Sequence, residues 1–390
     1  MGRPGAGAEG ARWSLLAGNF AIGCGVMVAP GTLNDLTQSL AVTVARGGHL
    51  IAVAAVMMAA GAPLLAAAVA GWDRRRLLVL SLAWYALGHL ACALAPDFDW
   101  LMPVRALTVL GAAVFTPQAA AAISVMAPPE ARGRAITFIF IGWSLASVVG
   151  MPLASFIGET AGWRWAYAAV ALLSLASAAW VWRTLPDGIR PAPLSLAAWR
   201  ETLTHPLLMG IVAVTVLSAA GQFTLFSYFA PYYRQVVGAS ALGVSFLFLW
   251  FGAFGLLGNV VLQRVVDRYG AARCVTVMLG SMALSLLAWP LGTGVLAMAI
   301  VATPWALGCF SSNSAQQARL GAAAPVLAPA LMALNTSAMY LGQAIGAGSG
   351  SVIVARSGFD LLHWAGLGWM LAAIALSALV ARRMAGRAHV

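Results

Sequence analysis

The chain has 390 residues, of which 62% are hydrophobic and 8% charged, and its mean hydropathy is +0.88. Soluble domains carry about 25% charged residues. A water-exposed fold of this length would present large apolar patches, so lipid is the solvent that suits most of its surface. The net charge of +11 comes from 22 basic residues, all arginine and spread along the chain, which argues against a concentrated nucleic-acid-binding patch.

Taken from the N-terminus, Arg3 and Arg12 precede an apolar run that starts at Trp13. The run passes 20 residues without a small-residue cleavage site, so a retained first helix is expected rather than a removed signal. A helix needs about 20 mostly apolar residues to cross the hydrocarbon layer. Breaks at charges, Pro/Gly pairs and Asn/Asp clusters leave twelve such spans: 13–34, 46–69, 77–95, 100–126, 135–158, 164–184, 206–232, 241–263, 274–290, 294–318, 329–354 and 361–382. Only "LGTG" separates the ninth from the tenth. Cys24, Cys92, Cys274 and Cys309 all fall inside apolar runs without metal-ligand spacing, and read as small packing residues with no disulfide.

The longest polar stretch, 185–205, contains Pro186, Pro191 and Pro193. It is expected to be a cytoplasmic linker between an N-terminal six-helix bundle, 1–184, and a C-terminal one, 206–390. Within it "LSLAAWRETL" suits a short amphipathic helix. Placing both termini in the cytoplasm puts 17 of the 22 arginines inside, four outside (Arg46, Arg164, Arg234 and Arg356), and leaves Arg105 within a span. That asymmetry predicts a multi-pass inner-membrane protein with cytoplasmic termini.

The halves repeat. Asp73-Arg74 recurs as Asp267-Arg268, 194 residues later. In the fifth span, Gly142, Ala146, Gly150, Ala154 and Gly158 form a small-residue ladder. A shift of 196 gives Ala338, Gly342, Gly346, Gly350 and Val354, four of the five still small. Such faces let helix backbones approach closely, because lipid supplies no hydrophobic drive between helices. A duplicated six-helix unit is predicted, the architecture of alternating-access transporters.

Four stretches carry a resemblance to a known family: "GAPLLAAAVAGWDRRRLLV", "VRALTVLGAAV", "GWSLASVVGMPLASFIGETAGWRWAY" and "GNVVLQRVVDRYGAAR". Over nearly its whole length the chain resembles the major facilitator superfamily, and within it the drug:proton antiporter branch with its arabinose-efflux-permease-like members. The resemblance implies an all-α membrane fold of twelve helices in two pseudo-symmetric bundles. It implies secondary active export of a small drug-like amphiphile, sugar or metabolite by proton antiport, or, alternatively, an uncoupled facilitator or uptake symporter. It also implies a conformational latch in the loops after the second and eighth spans. The second copy is well formed, with Asp267, Arg268, Gly270 and Arg273. The first is worn: aligning its aspartate leaves three residues missing, and aligning its last arginine puts Ala70 at the family's aspartate. Asp73 and Arg74 are its candidate latch residues. Gly142, Gly150, Pro152 and Gly158 match the fifth-helix antiporter motif.

Arg105 is the sharpest single feature, since a charge within a span costs roughly 2.5–3.5 kcal/mol on insertion scales. Either it snorkels from the span's end or it serves substrate or proton coupling. Relatives often carry a first-helix carboxylate where this chain has Gly25, and no carboxylate lies at mid-span. Asp35 is the carboxylate candidate for coupling, with His89 and His49 as alternatives. Amides and a phenol within spans are candidate substrate contacts because they are costly to leave in lipid: Asn19, Gln118, Gln222, Tyr228, Gln316, Asn335 and Gln343. No nucleotide-binding loop, hydrolase motif or metal-ligand cluster occurs, so no enzyme activity, cofactor or metal is expected. The expected partners are a small-molecule substrate, protons and the bilayer, not nucleic acid, and a monomer is expected. A lean toward neutral or anionic substrates follows from the lack of a buried acid to pair a cation.

Overall fold

The computed structural model describes residues 6–69, 71–128, 132–190, 196–324 and 327–387. Among them, twelve helices are long and apolar enough to cross a membrane. They are α1 (Glu9–Gly31), α2 (Val44–Leu65), α3 (Arg74–Ala93), α4 (Phe98–Met126), α5 (Phe138–Ala161) and α6 (Trp163–Thr184), followed by α7 (Pro206–Gln235), α8 (Ala241–Val266), α9 (Ala271–Leu291), α10 (Val295–Ala323), α11 (Ala330–Ser357) and α12 (Leu362–Met384). All twelve expected spans are present. The first ends earlier than expected, at Gly31. Asn34 and Asp35 lie instead on a separate short helix, Leu33–Ser39. The amphipathic segment is helical over Leu196–Thr204, and residues 191–195 of the expected linker lie outside the described residues.

Two compact units emerge. One comprises Met1–Val42 with Ala60–Pro193, the other Thr43–Ala59 with Leu194–Val390. Helix α2 is divided between them. In the first unit α1 is buried along most of its length, packed against α4, α5 and α6. Small residues make this possible: a Cβ at Gly18 would lie 2.2 Å from the Phe115 ring. In the second unit α7 takes the corresponding place against α11 and α12. Side chains such as Leu172 and Leu296 are 71% and 67% exposed, an outward apolar surface that only lipid can solvate at low cost.

The fifth-helix motif has a distinct backbone. Residues Ala146–Gly150 form a π-helical turn in which the Met151 N–H bonds back five residues to the Ala146 carbonyl. Pro152 follows directly and brings no N–H to the ladder. The missing donor and the widened turn therefore sit together. Pro231 has a similar effect in α7. Its ring nitrogen cannot bond the Ser227 carbonyl, and the helix is interrupted there, between Phe226 and Phe229.

Candidate transport site

The small-residue ladders are close-approach faces in both units. A Cβ on Gly142 would lie 2.4 Å from the Leu16 carbonyl of α1, and one on Gly150 would lie 2.5 Å from Cys24 Sγ. A Cβ on Gly346 would lie 2.4 Å from the Ala220 carbonyl of α7. Residues 24 and 220 are separated by the same 196 residues as 150 and 346. Gly158 is looser, 3.0 Å from Thr32 Cγ2.

Polar groups cross these same faces at repeat-related positions. In the first unit Asn19 of α1 donates to the Ile139 carbonyl of α5 at 3.2 Å and accepts from Thr116 of α4 at 2.9 Å. Trp143 Nε1 reaches Thr116 Oγ1 at 3.4 Å. In the second unit Thr215 of α7 donates to Asn335 Oδ1 of α11 at 2.6 Å. Both α1–α5 and α7–α11 links join residues 120 apart in sequence. Asn335 donates in turn to Asn313 at 3.0 Å. Gln316 of α10 donates to the Ile211 carbonyl at 3.0 Å and to Thr215 Oγ1 at 3.2 Å, while its own Oε1 is buried without a partner. No described carboxylate joins either cluster. Such groups recognise hydroxyl, carbonyl and amide functions rather than formal charge.

The remaining amides and phenol are also internal. Gln118 and Gln343 are buried, and Gln222 accepts from the Cys309 thiol at 3.0 Å. Tyr228 donates to the Ala347 carbonyl at 2.7 Å, and its hydroxyl presses on Gly48 so closely that a Cβ there would collide. His49 lies 2.9 Å from Ser351 Oγ, which itself donates to the Ala45 carbonyl at 2.7 Å.

Arg105 is 1% exposed, so it does not snorkel. Its Nη2 donates to the Gly25 carbonyl of α1 at 2.6 Å, and its Nη1 contacts His89 Nε2 of α3 at 3.0 Å. The Tyr167 ring of α6 lies 5.8 Å from the guanidinium carbon. A side chain at position 25 has no room: a Cβ there would sit 2.4 Å from Tyr85 Oη and 2.7 Å from His89 Cε1. Tyr85 Oη donates to the Ile22 carbonyl at 3.0 Å. Asp35 lies apart from this cluster, accepting the Trp163 backbone N–H at 2.6 Å at the start of α6. The His89–Arg105 pairing has no motif in the sequence. Only the sixteen-residue spacing of two polar residues on consecutive spans hinted at it. Thr215, not among the residues expected from the sequence, stands at the repeat offset from Asn19, the signal that could have found it.

The loop "GWDRRR" is occupied within the first unit. Asp73 Oδ1 accepts the Arg76 N–H at 3.2 Å, capping α3, and its Oδ2 accepts the Gly188 N–H at 2.6 Å. Arg74 is buried, donating to the Val69 and Trp72 carbonyls. Arg75 pairs with Asp187 at 2.7 Å and lies over the Trp182 ring. In the second copy the Asp267 side chain lies outside the described ones. Arg268 stacks 5.3 Å from the Tyr269 ring, Gly270 ends the helix at φ +81°, and Arg273 is exposed.

The sequence profile described as Major Facilitator Superfamily matches residues 15–326. The chain belongs to the major facilitator superfamily. Among its relatives, the Bacillus subtilis protein named "Uncharacterized MFS-type transporter YbcL" is 28% identical over 92% of each chain. A "Probable sugar efflux transporter" of Pasteurella multocida is 27% identical over 86% of this chain and 83% of that one. The crystal structure of a D-xylose-proton symporter superposes with a TM-score of 0.77 over 94% and 97% of the two chains at 16% identity. This major facilitator chain is therefore a multi-pass membrane transporter of small solutes, with twelve helices in two six-helix halves.

Proposed function

We propose that this chain exports a small, uncharged, polar organic compound across the inner membrane in exchange for protons, by alternating access, with both termini cytoplasmic. The observation that carries the reading is the pair of amide and hydroxyl clusters at repeat-related positions, around Asn19 and Thr116 in one unit and around Thr215, Gln316 and Asn335 in the other. They offer donors and acceptors without a carboxylate to hold a cation. The unpartnered Gln316 Oε1 is the natural acceptor for a solute hydroxyl, because leaving it bare costs about 1–3 kcal/mol. Gln118, Gln222, Tyr228 and Gln343 are further contact candidates. Export is supported by the name of the Pasteurella relative and by the fifth-helix motif, and the orientation by the arginine distribution. A second reading, an uncoupled facilitator or uptake symporter, is favoured by one observation: Gly25 stands where the resemblance implies a coupling carboxylate.

The test is solute-driven proton movement in proteoliposomes with a pH-sensitive dye sealed inside, across a panel of sugars, neutral antibiotics and quaternary ammonium dyes. Proton movement with sugars or neutral compounds is expected, and none with the ammonium dyes. Saturable export of an ammonium dye would overturn the neutral class, and solute flux without proton movement would overturn antiport.

A further inference from the structure

His89 lies at the centre of a buried cluster, and its hydrogen bonds define its protonation. A carbonyl oxygen only accepts, so the 2.8 Å contact from Nδ1 to the Tyr85 carbonyl puts a proton on Nδ1. A guanidinium only donates, so the 3.0 Å contact from Arg105 Nη1 requires a lone pair on Nε2. Both contacts demand the same neutral tautomer. The one open valence of the ring is therefore the Nε2 lone pair, and Arg105 occupies it. Nε2 also lies 3.4 Å from the Gly25 carbonyl, the oxygen that Arg105 Nη2 holds at 2.6 Å.

We propose that His89 carries the transported proton, and that this proton and the Arg105 guanidinium compete for His89 Nε2 and the Gly25 carbonyl. The inference rests on the reading of proton-coupled export. In the uptake step the Nε2 lone pair takes a proton from a hydronium ion, whose O–H bond breaks to leave water, and the ring gains one positive charge. Nε2 has then changed from acceptor to donor. It can no longer receive Arg105, and the acceptor within its reach is the Gly25 carbonyl. Two cations would then share one carbonyl oxygen in a buried site, and their repulsion drives Arg105 away from it. Its hold is light for a buried cation: two of its nitrogens are bonded, and Nε has no partner. Loss of the proton on the far side restores the lone pair and lets Arg105 return. The exchange moves a fixed cation by binding a mobile one, which gives a bistable element that a solute site can bias.

The other titratable groups around the ring lie on its own helix and on α4 and α6. Tyr85 and Cys92 share its helix, the first with its ring edge-on at 4.3 Å from the imidazole and the second 3.8 Å from Thr108 Oγ1. Helix α4 brings Arg105, and α6 brings Tyr167, whose ring is 5.8 Å from that of His89. Helix α1 brings the Gly25 and Ile22 carbonyls. No described carboxylate pairs with Arg105. Asp35 reaches only the backbone of Trp163, whose ring is edge-on to Tyr167.

The experiment needs no substrate. The protein has five histidines, so 15N labelling of histidine and arginine in lipid nanodiscs, with His89→Gln and Arg105→Lys to assign the two residues' signals, follows the ring nitrogens and the guanidinium as pH is lowered. We expect a His89 signal with Nδ1 protonated and Nε2 bare near neutral pH. On acidification it gains the second proton, and the Arg105 guanidinium resonances shift at the same midpoint. In Arg105→Gln the midpoint moves to higher pH by a unit or more. Arg105→Lys, which keeps the charge and weakens the fork, moves it less and serves if the glutamine variant is poorly folded. A His89 that holds its neutral form down to pH 4, or that titrates while Arg105 stays unchanged, overturns the proposal. Coupled proton movement in proteoliposomes alongside either result would remove His89 and leave antiport standing. Solute flux without protons alongside a linked His89–Arg105 titration would remove antiport and leave the competing site.

Discussion

Asp35 and Gln316 show how a residue's partners decide what it can do. Asp35 meets the first-turn backbone N–H of Trp163 with one oxygen, a bond that needs only an acceptor. Asparagine keeps an acceptor there, and alanine does not. Asp35→Asn is therefore expected to retain transport and thermal stability, whereas Asp35→Ala loses roughly 1.5–3 kcal/mol, as for hydrogen bonds to charged groups. Melting temperature in detergent and flux in vesicles check both. Loss of coupled flux in the asparagine variant alone would return Asp35 to proton carriage. Gln316 has the opposite geometry, with its amide nitrogen committed to the fold and its oxygen bare. Gln316→Glu keeps the shape and places a charge in the cluster. It should raise KM for a neutral solute by about tenfold or more, an energy of about 1.4 kcal/mol, and begin to admit cationic compounds.

The helices themselves were legible because length and hydropathy set them, and membrane thickness leaves little choice. The shift of Asn34 and Asp35 onto a separate helix had a signal in the Pro30-Gly31 pair, at which α1 ends. Leu33 and Leu36 carry the apolar pattern past that pair and hide it. The π turn in α5 was likewise hidden, although Pro152 and the flanking glycines stood in plain view. Their effect on the ladder needs the backbone. Pro152→Ala returns a donor to that ladder, and the expected outcome is a slower exchange cycle, measured as solute counterflow, with solute affinity kept. Within α11 a sharper comparison exists. Gly346 and Gly350 face α7 backbone at 2.4 and 2.6 Å, whereas Gly348 has nothing within 4 Å of its added Cβ. Gly346→Ala should destabilise by about 1–3 kcal/mol through overpacking, and Gly348→Ala should leave the melting temperature unchanged. Equal effects at the two positions would mean that the ladder is not a contact face.

Across the whole molecule, the repeat offset of 196 turns one half into a guide to the other. It carries Asn19 to Thr215, Ile139 to Asn335 and Cys24 to Ala220, pairs whose contacts then recur. It fails at Arg105 and His89, which have no counterparts: the residues 196 further on are Val301 and Ser285. The amide and hydroxyl links are thus duplicated, whereas the His89–Arg105 pair has no counterpart in the second unit, whose own buried arginine, Arg319, is held by Ser377 instead. The offset shows that His89 and Arg105 lack counterparts but not that they meet, because a pairing between side chains on consecutive helices leaves no periodic trace. The "GWDRRR" loop belongs to the same scale. Asp73 joins α3 to the segment after α6 through Gly188. Asp73→Ala should cost about 1 kcal/mol for the lost cap and open the 187–189 segment to limited proteolysis, whereas Arg76→Ala, outside these side-chain contacts, should not.

Gly25 carries a consequence for how such a protein can change over generations. Its carbonyl, and not a side chain, answers the buried arginine, and the space a side chain would need is filled by Tyr85 and His89. A mutation that installs an acid at position 25 in one step lands on occupied ground and loses before it can gain. The route back to a carboxylate-bearing first helix runs through shrinking residues 85 and 89 beforehand, each step with a defect of its own. The three positions therefore form an epistatic lock: any lineage inheriting this glycine would be expected to keep all three or to replace all three together.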